Sequence, residues 1–433
     1  MVLLAGLVFG SACSGETGTL SVTLTSAPGS TLLDSVQTLR LTLTNPRRTE
    51  TAERTASGFA IALELPATGE ATQLLVEGLD AGGVLVANGA SPPFPVGALD
   101  GRIIIYMAAP LSVGASPGAF AVARSEVAVA PLPYGAIFAG GRLDTGAPSD
   151  AVSVYNAFDH SVVSGMAMPA PRAGLALAAG NNSAAYMFGG SDEAGLPTAT
   201  LWRFDTTAPP AGVYQDYGIK DGFERAGQLA LPLGSDRFVL SGMPGAELAG
   251  LNGTLVAIDG VAALPSAGVS VVGNDGMVAS IFAGPASVVQ YRAGTVTELA
   301  LPAAARADAT VVALPGGKTV VVCGTTEAVR IDAATGNGES IPNVPTVAKT
   351  GCAATATARH LVIAGGTALG VVDPTVEIFD AASLALIATT QLGVPRTGAV
   401  AIALPNDQIL IGGGVDAAGA PVGTLELFTP PVE

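Results

Sequence analysis

Between residue 124 and the end of the chain, apolar and polar positions follow one plan seven times. A basic residue opens a short apolar run, a turn follows, and a second apolar run ends in glycine. A third run closes on an aromatic or aliphatic residue, in most units followed by Asp. The second runs occupy 136–141, 185–190, 238–242, 280–284, 320–324, 361–366 and 409–413. Their last glycines recur at intervals of 40 to 52 residues. Repeats of this length mark solenoids, propellers or arrays. Arg124, Arg172, Arg225, Arg306, Lys349 and Arg396 each precede their glycine by 17 or 18 residues, and in the fourth unit Ala267 holds that place.

The periodicity inside each unit predicts strands. First and second runs are nearly all apolar, as expected of strands buried on both faces. The third runs, at 152–155, 201–205, 255–259, 288–291, 328–332, 376–380 and 425–428, in several units alternate apolar with polar, the period of a half-buried strand. Leu404-Pro405-Asn406-Asp407 and Leu314-Pro315-Gly316-Gly317 suit tight hairpins between first and second strands. Each unit reads as a four-stranded antiparallel blade, with a weaker fourth strand near 160–166 in the first. The last unit has only five residues after Phe428, so its fourth strand must come from elsewhere. An open ring would expose an unpaired edge. Residues 111–122 hold the fourth-strand register, and they are expected to pair with 424–428.

The glycine pairs after a hydrophobic second strand resemble the kelch repeat. So do Met168-Pro169-Ala170-Pro171-Arg172 and the aromatic-Asp ends of the third strands. The resemblance implies an all-β fold, a seven-bladed β-propeller of the kelch and galactose-oxidase type over residues 119–433. The chain departs from the family in having one Trp, Trp202, and in glycine pairs degraded to Ser-Gly, Ala-Gly and Cys-Gly. No particular kelch activity carries over.

Upstream, runs at 19–25, 36–44, 58–65, 72–77, 84–88 and 102–107 alternate at about ten-residue spacing. They predict a sandwich over 18–108, resembling the immunoglobulin-like modules of bacterial surface lipoproteins. Arg47, Arg48 and Arg54 read as a solvated hairpin tip. Residues 109–118, rich in Ala, Pro, Ser and Gly, read as a linker. Residues 1–13 form an apolar stretch ending in Ser11-Ala12-Cys13, followed by polar Ser14-Gly15-Glu16-Thr17. They resemble a lipoprotein signal with Cys13 as the lipid attachment point; an ordinary export signal and a buried N-terminal strand are the alternatives. The expectation is an exported, lipid-anchored, monomeric protein of the bacterial cell envelope, touching membrane only through that anchor.

Composition narrows the partners. With 35 acidic against 19 basic residues the net charge is −16, which argues against nucleic acid or anionic lipid as a partner. No internal apolar run is long enough to span a membrane. Two histidines, His160 and His360, placed in different units, cannot build a galactose-oxidase-type metal centre. No catalytic elbow, Walker loop or calcium loop is present. No cofactor, metal or catalytic residue is expected.

The recurrent cations allow two readings: a basic ring that attracts an anion, or a structural set bound to backbone carbonyls or acids of the neighbouring blade. Repetition with the fold favours the second. Asp144, Asp150, Asp192, Glu193, Glu247, Asp373 and Asp416 are expected on the same loop face. Two functions follow: a non-catalytic envelope binding or scaffold module presenting that face to a protein or glycan, or a carbohydrate-active propeller enzyme using loop carboxylates. Aromatic residues at 5% offer little sugar platform. Cys323 and Cys352 fall at matching heights in adjacent blades. In an exported chain they form a candidate disulfide, the alternative being two buried thiols.

Overall fold

The computed structural model of the chain describes residues 17–432, apart from 57, 60, 67–68, 97–100, 182, 210, 243, 259–266, 274–275, 285, 304–305 and 307. Cys13 lies outside the described residues. Among those described, the fold is all-β, with one short 3-10 turn at Leu32–Ser35 and repeated four-stranded antiparallel sheets.

From Ser112 onward there are seven such sheets among the described residues. The first is formed by Ala128–Leu132, Gly135–Ala139, Val152–Asn156 and Val162–Ser164, pairing in chain order. First strands of successive sheets pack against one another, and the first strand of the last sheet packs on that of the first. The succession therefore closes on itself in a β-propeller-like arrangement. Second strands such as Gly135–Ala139, Ala184–Phe188 and His360–Ala364 are buried along their whole length. Each sits between two strands of its own sheet and between two neighbouring sheets, which is why it reads as apolar throughout. Outer strands such as Val213–Ile219 and Thr254–Ile258 are partly or largely exposed.

Closure is made by Ser112–Ala119, antiparallel to Thr424–Thr429, with Val113 opposite Phe428 and Ala115 opposite Glu426. Residues 109–118, expected as a linker from composition, are thus mostly the outer strand of the last sheet. Small residues and a proline are tolerated there because an edge strand with a bulge needs few ladder donors. Pro117 stands in the bulged stretch between Ala115 and Ala119.

Two further corrections concern register. In the third sheet the third strand is Gly245–Ala249, and Thr254–Ile258 is the outer strand. Leu255-Val256-Ala257-Ile258 is apolar in sequence yet largely exposed, so its hydrophobicity alone reads as an inner strand. In the last unit the glycine equivalent to Gly141 is Gly414. Gly413 and Gly414 have positive φ of 65° and 78°, matching Gly365 and Gly366 at 63° and 97°, whereas Gly412 belongs to the strand Ile409–Gly412.

The N-terminal residues form a three-stranded sheet (Ala62–Pro66, Thr17–Thr25, Gly101–Tyr106) and a four-stranded one (Arg47–Glu53, Thr38–Thr44, Leu74–Leu79, Leu85–Ala90). Leu39, Leu41, Leu74, Val76, Ile103 and Ile105 share one core between them. Arg47 and Arg48 begin a strand rather than a hairpin tip. Arg54 donates to the carbonyls of Leu33 and Val36 and lies 4.9 Å from the Phe59 ring centroid. Its charge is used locally, because a guanidinium has donors enough to cap several carbonyls at once.

This N-terminal part is fastened to the sheets beyond it. Asn88 and Ala108 exchange backbone hydrogen bonds of 2.8 and 3.1 Å, the Asn88 amide reaches Pro430 O at 2.7 Å, and Asn406 reaches Ala90 O at 3.1 Å. Tyr106 inserts its ring into the core built by Phe120, Phe138 and Leu425.

Candidate functional site

The recurrent cations are buried and bonded within their own sheets, not to acids of the neighbouring one. Arg124 donates to Gly140 O (2.8 Å), Ala151 O (2.6 Å) and Ser153 Oγ (2.8 Å), with its guanidinium 5.1 Å from the Phe120 ring. Burial pushes its pKa down to about 10, with Asp150 opposing. Arg172 reaches Pro171 O and Thr200 Oγ1 and lies over Trp202. Arg225 bonds Ser241 O, Pro244 O and Phe223 O, and Arg306 bonds the carbonyls of Val321, Cys323 and Glu327. Lys349 meets Asp373 at 3.0 Å and Glu377 at 3.4 Å, and Arg396 meets Glu426 at 2.6 Å. Each cation ties the end of a second strand or the start of a third to the segment entering its sheet. A buried carbonyl without a donor is costly, and a cation satisfies several of them. These side chains are spent on architecture and leave no basic ring open to a ligand.

The acidic residues divide. Glu247 lies in the strand Gly245–Ala249, paired with Arg237 and accepting from Tyr291 Oη at 2.6 Å, so it is not on a loop. The Asp192 carboxylate accepts from the backbone of Ala194 and Leu196, and Asp416 accepts from Ala418 and Ala420, each at 2.8–3.0 Å. Burial alone would raise Asp373, but hydrogen bonds from Thr375 and Lys349 outweigh it and hold the carboxyl below its usual range. Asp144, Asp150 and Glu193 are exposed.

What distinguishes this face is loop length. Connections between second and third strands are long in the sixth, seventh, first and second sheets and short in the third, fourth and fifth. The four long ones are neighbours in the closed ring. Three share a plan in which a glycine of positive φ (Gly146, Gly195 and Gly419, at 78°, 76° and 80°) turns the chain back on itself. Leu143, Asp192 and Asp416 close these turns with backbone pairs to Ala147, Leu196 and Ala420. The sixth loop instead carries a two-stranded hairpin, Thr367–Ala368 paired with Val371–Val372. The rim so formed is acidic and carries the exposed apolar side chains Leu196, Leu369 and Val371. Sequence periodicity finds the strands but misses this asymmetry, although unequal spacing of the repeats is its visible trace.

At the opposite end of the sheets, a cleft between the N-terminal part and two hairpin turns is lined by Gln73, Arg359, His360, Asn406, Asp407 and Pro430. Burial pushes His360 down, reinforced by Arg359, and raises Asp407. At about 140 Å³ the cleft is smaller than the roughly 300–1,000 Å³ typical of ligand pockets. Among the described residues no three His, Cys, Asp or Glu side chains cluster as metal ligands, and no helix is long and apolar enough to cross a membrane.

His160, expected in the outer strand of the first sheet, instead occupies the turn before it, with φ of 57°. It is 1% exposed, and burial pushes its pKa down to about 4. Its Nε2 accepts from the Tyr106 amide at 3.2 Å, so the proton sits on Nδ1, 2.7 Å from Tyr155 Oη. A second proton would set donor against donor at Tyr106. Because the folded pKa lies below the unfolded value near 6.5, stability is complete above about pH 6.5 and falls as pH drops toward 4. Between about pH 7 and 5 this group removes about 2 kcal/mol. Urea titrations of wild type and His160→Gln across that window test it: the wild-type curve should fall more steeply, and parallel curves would refute the assignment.

Comparison with known proteins gives little beyond this. No protein-family model matches the chain, and no curated protein matches it. Among solved structures it is similar to one titled "Structure of YjhT", with a TM-score of 0.47 and 14% identity over 72% of this chain and 96% of that one.

Proposed function

We propose that the chain is a non-catalytic binding or scaffold module of the bacterial cell envelope. In this reading a seven-bladed kelch-like β-propeller, preceded by an immunoglobulin-like sandwich, is tethered by lipid at Cys13 and offers its loop face to a protein or glycan. The observation that carries the reading is the run of four adjacent long loops beside three short ones. Uniform short connections would suffice to build the sheets, so a one-sided rim is the part of the molecule free to serve a ligand. The cations beneath it are buried and bonded within their own sheets, and Asp192, Asp373 and Asp416 are engaged in their own loops.

The test sets a panel of envelope glycans and envelope proteins against the wild type. A second chain has loops 143–147 and 416–420 cut to the length of the third-to-fifth connections. A ligand held by the first and lost from the second supports the reading. Turnover of a glycan, abolished by Asp144→Asn or Asp416→Asn, would replace it with the carbohydrate-active alternative. Tethering is tested separately: Cys13→Ala should move the protein from the membrane fraction to buffer, and a variant that stays with the membrane would refute the anchor.

A further inference from the structure

Resting on that reading, we infer that the hairpin tip at Leu369 is the anchor by which the loop face seats in an apolar pocket of a basic protein partner. Leu369 is 96% exposed, and Val371 beside it is 67% exposed. Leu369 and Gly370 have φ of 51° and 80°, the two positive values of a type I′ hairpin turn, which favours Asn-Gly. A leucine is therefore held in a left-handed conformation that disfavours it. Leu384 and Leu111 also have positive φ, at 60° and 58°. Leu384 is buried in the core with Phe379, and Leu111 packs against the cluster of Ile409 and Phe428. Leu369 receives no such packing within the chain. The positive φ costs the isolated protein backbone strain that no internal packing of Leu369 offsets. That strain is offset if the exposed Leu369 and Val371 side chains are buried on association, as a central apolar anchor is in protein interfaces.

Charge identifies the partner. Asp144, Glu193 and Glu224 are exposed on the same face, with Asp192 and Asp416 partly so, while Asp373 is paired with Lys349. Of the nearby cations, Arg142 is paired with Glu126 at 2.9 Å. An acidic rim around an apolar anchor complements a basic surface and repels an acidic one, including a second copy of this chain at net charge −16.

The experiment places a photo-crosslinking amino acid at 369 in the full-length protein, within the cells that make it. Control positions are Ala418 in the seventh loop and Val256 on an outer strand. The expected result is one discrete adduct from position 369 and none from 256, with the captured protein basic by mass-spectrometric identification. Purified, that protein should bind the wild type, weaken between about 0.05 M and 0.5 M salt, and lose at least about tenfold affinity to Leu369→Asn. The same variant should melt at an equal or higher temperature, since Asn tolerates the turn. An adduct with a second copy, with lipid or with an acidic protein would overturn the inference, as would no adduct at 369. An adduct at 418 alone would refute the anchor while leaving the loop face as a binding surface; silence at both positions would refute the two together.

Discussion

Replacing Arg396 by Met is expected to destabilise the fold by about 3–5 kcal/mol, the cost of breaking a buried ion pair from one side. Arg396 is fully buried, and its guanidinium meets Glu426 at 2.6 Å, Thr424 O at 2.8 Å and Val394 O at 3.1 Å. Glu426 also accepts from the amides of Gly393 and Val394, at 2.6 and 3.2 Å. Removing the cation strands a carboxylate in the sheet that closes the ring. Glu426→Gln alone leaves the guanidinium its carbonyls and should cost less. The double variant should recover part of the Arg396→Met loss, because no unpaired charge remains. Urea unfolding of the three chains measures this. An Arg396→Met variant within about 1 kcal/mol of wild type, on the scale of an exposed pair, would show that the pair carries no net stability.

The disulfide gives the second large effect. The structure joins Cys323 and Cys352, with Cα atoms 6.4 Å apart and a sequence separation of 29. The Cα distance is within the range a bridge requires. Constraining a loop of this size in the unfolded chain contributes about 3–4 kcal/mol. Cys323 has φ of 69° at the place held in other units by Gly140, Gly189, Gly365 and Gly413, with φ of 63–67°. Cys323→Gly is therefore the substitution that removes the sulfur without fighting the backbone. Cys323→Gly/Cys352→Ala should unfold at lower denaturant than the oxidised wild type, and reductant should lower the wild type but not the variant. In a Cys13→Ala background, titration of the denatured, unreduced chain should find no free thiols; two per chain would refute the bridge.

The strands are legible because burial on both faces leaves a plain signature. Runs such as Ala136-Ile137-Phe138-Ala139 and Val320-Val321-Val322 cannot face water, and their recurrence with glycine and a basic residue implies a repeated sheet. The closing pair is legible for a similar reason: the last unit lacks one strand, and residues 111–122 hold its register. Periodicity misplaces the third sheet's strands because the outer strand Thr254–Ile258 carries the apolar run Leu255-Val256-Ala257-Ile258, as an inner strand would, although it is largely exposed. It misses the strand at Arg47 and Arg48 because an exposed edge strand has the composition of a loop. It pairs Gly412 with Gly413 because sequence records glycine but not φ.

What the sequence by itself determined was the repeat, the all-β class, the acidic charge and the positions of the basic residues and cysteines. These follow from burial and backbone chemistry that act locally, within a strand or a turn. Only the tertiary structure decided that each buried cation serves its own sheet, that His160 locks Tyr106 of the N-terminal part, and that four long loops stand side by side. Those depend on which strand lies against which, a relation between residues up to hundreds of positions apart. Local periodicity carries no information on such neighbours, whereas a hydrogen bond such as that from Asn88 to Pro430 exists only once the ring has closed.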